Sequence, residues 1–363
     1  MGFMHRIPGT ALSLLLLGLA GASAPAGPSP QERPPQAAPT ALLADCMVEK
    51  PTELFPVAWV VDGDTIHVDR DGKREKLRLL SIDTEEKYMP KNDSETKPST
   101  RFGDLTAGWA QGFFMPRSPS EGAVEVGLRF PGGVEARDPY GRLLCHVVTS
   151  EGVDFNLLMV RTGLSPYFNK YGNSRIDHER FVAAQKAAMA EQRGIWDPRT
   201  NDGGSRRPYD RLLPWWDARA EAVNAHRALA ASDPMRFLAA DEPDQLSAAI
   251  AKGPREVTVL ALIDRFFEED DGSRTVLLRG GDKRRSVRVS IPKELRGAME
   301  KLDLDHSYED FRQNYFLIDG TLQMGARGFD LVGVGVEDWR LAGPEPAIPG
   351  RAPSSPADLV RRR

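Results

Sequence analysis

Cysteine is almost missing from this chain. Cys46 and Cys145 are its two cysteines in 363 residues, too few for a disulfide-built scaffold. A positive excess is missing as well. With 48 basic and 52 acidic side chains the formal net charge is −4, which argues against a protein that holds nucleic acid by phosphate contacts alone. Among the histidines, His67, His146 and His178 share no ligand spacing and read as surface or packing residues, His178 at a helix start. Long apolar runs are lacking too. Ala11 to Ala20 is too short to cross a bilayer and no later run is long enough, so no membrane span is expected.

The apolar run does have the flanks of an export signal, with Arg6 before it and Ala22-Ser23-Ala24 after it. Residues 1–24 are therefore expected to be a signal peptide on a secreted or periplasmic protein. Residues 25–50 read as a disordered leader, because Pro25 to Pro39 is rich in Pro, Ala and Gln. Cys46 follows Asp45, where a lipid anchor would want a small residue. Two arrangements stay open for the cysteines: a Cys46–Cys145 disulfide tying the leader to the strand that carries Cys145, or a buried free Cys145 with a mobile Cys46.

Chemistry concentrates between Val57 and Glu86. Val57, Trp59 and Val61 alternate as in a strand, Asp62-Gly63-Asp64 interrupts, and Thr65 to Val68 resumes. Asp71-Gly72 then signals a hairpin before Lys76 to Ile82. Two acidic pairs, Asp62/Asp64 and Asp83/Glu86, so end two different strand segments. Carboxylates converging from separate backbone pieces suit Ca²⁺, although Asp-Gly and Asp-Thr taken singly are ordinary turn chemistry. Arg78 lies among Leu77, Leu79 and Leu80, where an unpaired guanidinium would be costly, so it needs an anion. A turn at Asp138-Pro139-Tyr140-Gly141-Arg142 delivers a second arginine to the start of another apolar strand. Two arginines beside an acidic pair form a clamp for a phosphoryl group.

These segments resemble the staphylococcal nuclease (thermonuclease) family. The D-G-D-T turn stands at Asp62 to Thr65, the R-L-x-x-x-D-T-P-E segment at Arg78 to Glu86, the D-x-Y-G-R turn at Asp138 to Arg142, and the V-N-x-x-L-V-x-x-G-L helix at Phe155 to Leu164. A helix from about His178 to Gln192 ending at Gly194-Ile195-Trp196 continues the likeness, which covers residues 55–200. The resemblance implies a five-stranded OB-type β-barrel with packed helices, metal ligands Asp64, Asp83 and the Thr84 carbonyl, phosphate-binding Arg78 and Arg142, and Glu86 acting on the attacking water. It further implies Ca²⁺ as cofactor and DNA and RNA as substrates, cut to leave 3′-phosphate ends. Tyr140 and, by spacing, Tyr171 match nucleotide-facing tyrosines, while Asn169 stands where another is expected. Glu85 replaces the family proline, which implies a looser turn and an extra carboxylate competing for water or metal. With 20 basic and 22 acidic side chains in residues 51–200, metal-dependent turnover of unpaired strands is expected rather than tight storage binding.

Residues 51–200 thus form one expected unit, and Asp197 to Pro208 mark a boundary. A helical connector at 205–245 carries Trp215 and Trp216, read as interface burial rather than a nucleotide platform. Residues 250–342 show three strands, a helix and two strands, the order of an OB-like β domain, with a disordered tail at 343–363. Lys87, Lys91 and Lys97 read as solvating a mobile loop, and Lys283-Arg284-Arg285 with Arg288 as either a phosphate patch or a charged hairpin tip. The fold class is α+β, mainly β. A catalytically inactive nuclease-like scaffold is the competing function, set against it by the presence of all five residues Asp64, Arg78, Asp83, Glu86 and Arg142.

Overall fold

The structure is a computed structural model that describes residues 40–87, 97–115, 122–280, 285–299 and 315–342. The expectations for the signal peptide, residues 25–39, Lys91, Lys283, Arg284 and the tail lie outside these residues.

Alternating burial builds the first sheet. Strands β1 (Phe55–Val60), β2 (Thr65–Arg70), β3 (Lys73–Leu79), β4 (Glu125–Arg129) and β5 (Leu143–Thr149) close into a barrel in the order β1-β2-β3-β5-β4. The β2–β3 turn places Asp71 at φ 51° and Gly72 at φ 72°, the left-handed pair that a tight right-twisted hairpin requires. β3 runs parallel to β5, Arg78 in register with Leu144, and the other barrel pairs are antiparallel. Val57, Ile66, Leu77, Leu79, Leu143 and Val147 fill the interior.

The leader is ordered from residue 40 onwards, contrary to the reading of 25–50 as disordered. Thr40–Ala44 forms a short helix, α1. Leu42 and Cys46 are buried, and backbone bonds from Val48 N to Gly152 O (2.7 Å) and Asp154 N to Cys46 O (2.9 Å) attach the segment to the barrel. The compositional signal lies in Pro25 to Pro39, and residues 40–50 are beyond it, held by a few long-range contacts. Helices α2 (Arg101–Phe114), α3 (Phe155–Arg161) and α4 (His178–Ala190) pack on the barrel. Asn156 ties α3 to two strand ends, donating to Leu80 O (2.8 Å) and accepting from Val147 N (3.1 Å).

No disulfide joins Cys46 and Cys145; both thiols are free and fully buried. Burial pushes the Cys46 thiol up to about 12 and raises that of Cys145 as well. Ellman's reagent should therefore find almost no reactive thiol in the native protein and both thiols in denaturant. A Cys46–Cys145 cross-link in a non-reducing peptide map would contradict this.

α5 (Tyr209–Ser232) supplies the expected connector. Trp215 and Trp216 are buried with Leu212, against Phe168 and Tyr209, so they are core rather than a platform. A second, eight-stranded sheet follows, built from β6 (Phe237–Ala239), β7 (Arg255–Ala261), β8 (Ile263–Glu268), β9 (Arg274–Leu278), β10 (Val287–Ile291), β11 (Phe316–Gly325), β12 (Gly328–Val332) and β13 (Trp339–Leu341), with α6 (Pro243–Ala249) beside it. The first of the five strands read from the sequence divides into β7 and β8, and the three-residue β6 and β13 extend the sheet further. Among the described residues no helix is long and apolar enough to cross a membrane.

Candidate active site

The D-G-D-T turn joins β1 to β2 and is pressed against its surroundings. A Cβ on Gly63 would collide with the Thr84 and Thr106 methyls, so glycine is what lets the turn approach residue 84. Asp64 is buried and fully engaged: its carboxylate accepts from Thr65 Oγ1 (3.0 Å), Thr84 N (3.0 Å) and Thr84 Oγ1 (3.3 Å), and pairs with Arg78. Arg78 also reaches Asp83 Oδ1 at 2.8 Å through Nη2. The guanidinium thus lies between the carboxylates of the two acidic segments, which resolves the problem posed by a buried arginine.

Asp83 holds more cations than the sequence suggested. Lys97 Nζ lies 2.9 Å from its Oδ1 and 2.8 Å from Glu86 Oε1. Lys97 is therefore part of the site, which corrects its reading as a loop-solvating lysine. Lys87 instead donates to Val61 O at 2.8 Å. A third cation, Arg207, pairs with Asp83 Oδ2 and donates to the Asp83 carbonyl at 2.8 Å. Burial alone would raise the Asp83 carboxyl, but Lys97, Arg207 and Arg78 hold it far below the usual carboxylate range.

Glu85 is not a loose extra carboxylate. It is buried, accepting from Thr100 Oγ1, from Asn201 Nδ2 (2.7 Å) and from the Tyr209 hydroxyl (3.1 Å). These bonds take over the restraint a proline would have given, and they remove Glu85 from competition for water or metal. The same loop is fixed to the start of α2: Thr100 N donates to Glu86 O (3.0 Å), and Thr100 caps the helix through Gly103 N (2.9 Å). Glu86 itself keeps its side chain 32% exposed, which leaves it open to a substrate water.

Arg142 immediately precedes β5, in which Leu143 is buried opposite Leu77 and Leu144 stands in register with Arg78. Its Nε donates to Asp138 Oδ2 (2.6 Å), and its guanidinium lies 5.5 Å from the ring of Tyr140, which is 82% exposed. Tyr171 is half exposed, edge-on to Phe168. Asn169 donates to Asp217 Oδ1 (2.8 Å) on α5, so this position joins the connector instead of stacking on a base. His146 is buried between Asp154 Oδ2 (3.1 Å) and Ser81 Oγ (3.4 Å), a packing role that braces Ser81, held at φ 64° two residues before Asp83.

Asp62 accepts from Asp64 N at 3.1 Å, a partner that does not offset its burial beside Asp64. Burial and the charge of Asp64 push its carboxyl up to about 7. A carboxyl raised in the fold binds its proton more tightly there than in the unfolded chain, so the associated stability is full below about pH 4 and is lost as pH rises through about 7. Asp62→Asn should consequently melt several degrees above the wild type at pH 8, roughly 1–2 kcal/mol after allowing for partial solvent screening, with the gap closing near pH 4. Equal melting temperatures across that range would refute the assignment.

The all-oxygen character of Asp64, Asp83 and the Thr84 carbonyl, with Asp62 nearby, fits a hard divalent cation in kind. They do not form a ready cage. Among the described residues no three of His, Cys, Asp and Glu converge as a ligand set, and the carboxylate oxygens of Asp64 and Asp83 already accept from N–H and O–H donors.

Comparison with known proteins agrees with this geometry. The family described as Staphylococcal nuclease homologue matches residues 76–198. Endonuclease YhcR of Bacillus subtilis is 36% identical over 154 residues, covering 42% of this chain and 12% of that protein. An uncharacterized endonuclease of Escherichia coli is 30% identical over 140 residues, 39% of this chain and 74% of that protein. A thermonuclease of Staphylococcus intermedius is 30% identical over 150 residues, 40% of this chain and 77% of its own length. With the closed barrel, the ordered motifs and a relative covered over most of its length, the chain belongs to the staphylococcal nuclease family.

Proposed function

We propose that this protein is an exported, Ca²⁺-dependent endonuclease that hydrolyses phosphodiester bonds of DNA and RNA, preferring unpaired strands. The observation that carries the reading is the gathering of Asp64, Arg78, Asp83 and Glu86 in one ion-pair network, with Arg142 at the start of the strand that pairs with β3. Glu86, exposed enough to meet solvent, orients or deprotonates the water for in-line attack on phosphorus. Arg78 and Arg142 bind the equatorial phosphoryl oxygens and stabilise the charge that grows on them. Ca²⁺, when held by Asp64, Asp83 and the Thr84 carbonyl, supplies Lewis-acid neutralisation at the same phosphoryl group. As the water oxygen bonds to phosphorus, the bond from phosphorus to the 5′ oxygen breaks, a solvent proton neutralises the departing alkoxide, and a 3′-phosphate end remains.

Tyr140 and Tyr171 present exposed ring area for stacking on flanking bases, a mode that every base satisfies. Cleavage of single-stranded DNA in Ca²⁺ should therefore stop on chelation and resume when Ca²⁺ is restored, with end-group mass spectrometry showing 3′-phosphate products. The triple ion pairing of Asp83 favours one competing reading, a nucleic-acid-binding scaffold. Retention of a labelled strand without cleavage, in a folded protein supplied with Ca²⁺, would establish that reading in place of the enzyme.

A further inference from the structure

Three side chains at the site come from beyond the matched family segment, which ends at residue 198. Asn201, itself at φ 59°, accepts from Phe102 N (2.9 Å) at the start of α2 and donates to Glu85. Arg207 donates to the Asp83 carbonyl and pairs with its carboxylate. Tyr209, the first residue of α5, donates to the other Glu85 oxygen. Residues 201–209 thus cross back over the acidic loop and grip it at two consecutive segments of its chain.

Arg207 differs from the other two cations on Asp83. Its side chain is 2% exposed, against 36% for Lys97, and its guanidinium is backed by the rings of Trp216 at 5.3 Å and Tyr209 at 5.7 Å. A lysine on a flexible stem swings away at little cost, whereas a planar guanidinium backed by two rings does not. It also pairs with Asp83 Oδ2, whereas Arg78 and Lys97 pair with Oδ1. Any ion binding Asp83 must share or displace this contact, and two cations on one buried carboxylate repel strongly.

We propose that Arg207 is a positioning residue of the active site that competes with the divalent cation for Asp83, so that the segment following the family domain sets the cation concentration at which the site fills. This rests on the cation-dependent reading of the function. A mere strut would hold the loop without opposing the ion, and the two roles separate in a binding measurement.

Ca²⁺ titration by calorimetry on the full mature chain gives the test. Arg207→Met should bind Ca²⁺ at least tenfold more tightly than the wild type, and Arg207→Lys, which keeps the charge on a stem that can swing aside, should fall between the two. In the wild type, Ca²⁺ should speed hydrogen exchange across residues 201–209. Unchanged or weaker binding by a folded Arg207→Met protein overturns the proposal, as does slowed or unchanged exchange in the wild type. If Arg207→Met does not fold, the wild-type exchange experiment decides alone. Equal affinities in both proteins would sink this inference and leave the Ca²⁺ reading intact; no binding by either would sink both.

Discussion

Asp83→Asn should lower the melting temperature by roughly 10 °C, in line with a loss of about 3–5 kcal/mol for breaking a buried ion pair. The substitution keeps the shape of the side chain and removes its charge, leaving Arg78, Lys97 and Arg207 facing one another around a neutral amide. The effect has a definite pH signature. A carboxyl held far below its ordinary range contributes stability that is fully present above about pH 4 and lost as pH falls further. The melting gap between wild type and variant should accordingly be wide at pH 7 and narrow in acid. A gap under 2 °C at neutral pH would mean that the cations are satisfied elsewhere and that Asp83 is not the centre of the cluster.

Glu86→Ala and Arg142→Ala should show the opposite pattern, with turnover down by about 10²–10⁴-fold and stability nearly unchanged. Glu86 keeps a third of its side chain exposed and pairs only with Lys97 among the described residues, and Arg142 pairs with Asp138 on a surface turn. Neither is a structural keystone, since partly exposed pairs contribute little to folding. Arg142→Lys should recover only a small part of the activity, because an ammonium lacks the two-pronged geometry that fits a phosphoryl group. Rates on a single-stranded oligonucleotide, measured beside thermal melts, check both halves of the prediction. Full activity in either variant would remove that residue from the mechanism, while a collapsed melt would reassign it to the fold.

The barrel and the acid–arginine core were legible because their determinants are local. Strand alternation between Val57 and Ile82 and the turn pairs Asp71-Gly72 and Asp62-Gly63 act within a few residues, and the D-G-D-T and D-x-Y-G-R motifs carry their functional groups in a fixed spacing. Arg78 was readable for a further reason: an arginine among leucines poses a question that only an anion answers. Arg207 posed none. It stands in a polar stretch beside Arg206 and Pro208, and its partner is 124 positions away. Glu85 was misjudged for the same reason, since a carboxylate in a turn looks solvated until Tyr209 and Asn201 are brought to it through the fold. Lys97 looked like one more loop lysine until Asp83 and Glu86 were seen on either side. The strands β6 and β13, three residues each, are too short to show a period at all.

The strap from Asn201 to Tyr209 leads directly into α5, and α5 carries Arg219, whose guanidinium lies 4.6 Å from the ring of Tyr315, the residue before β11 of the second sheet. The family match ends before this strap, at residue 198, but the physical perimeter of the site does not. A fragment excised at residue 198 would retain every residue that the family motifs name, yet its acidic loop would lose Asn201, Arg207 and Tyr209 together. Modularity in this protein is therefore a property of its ancestry and not of its mechanics.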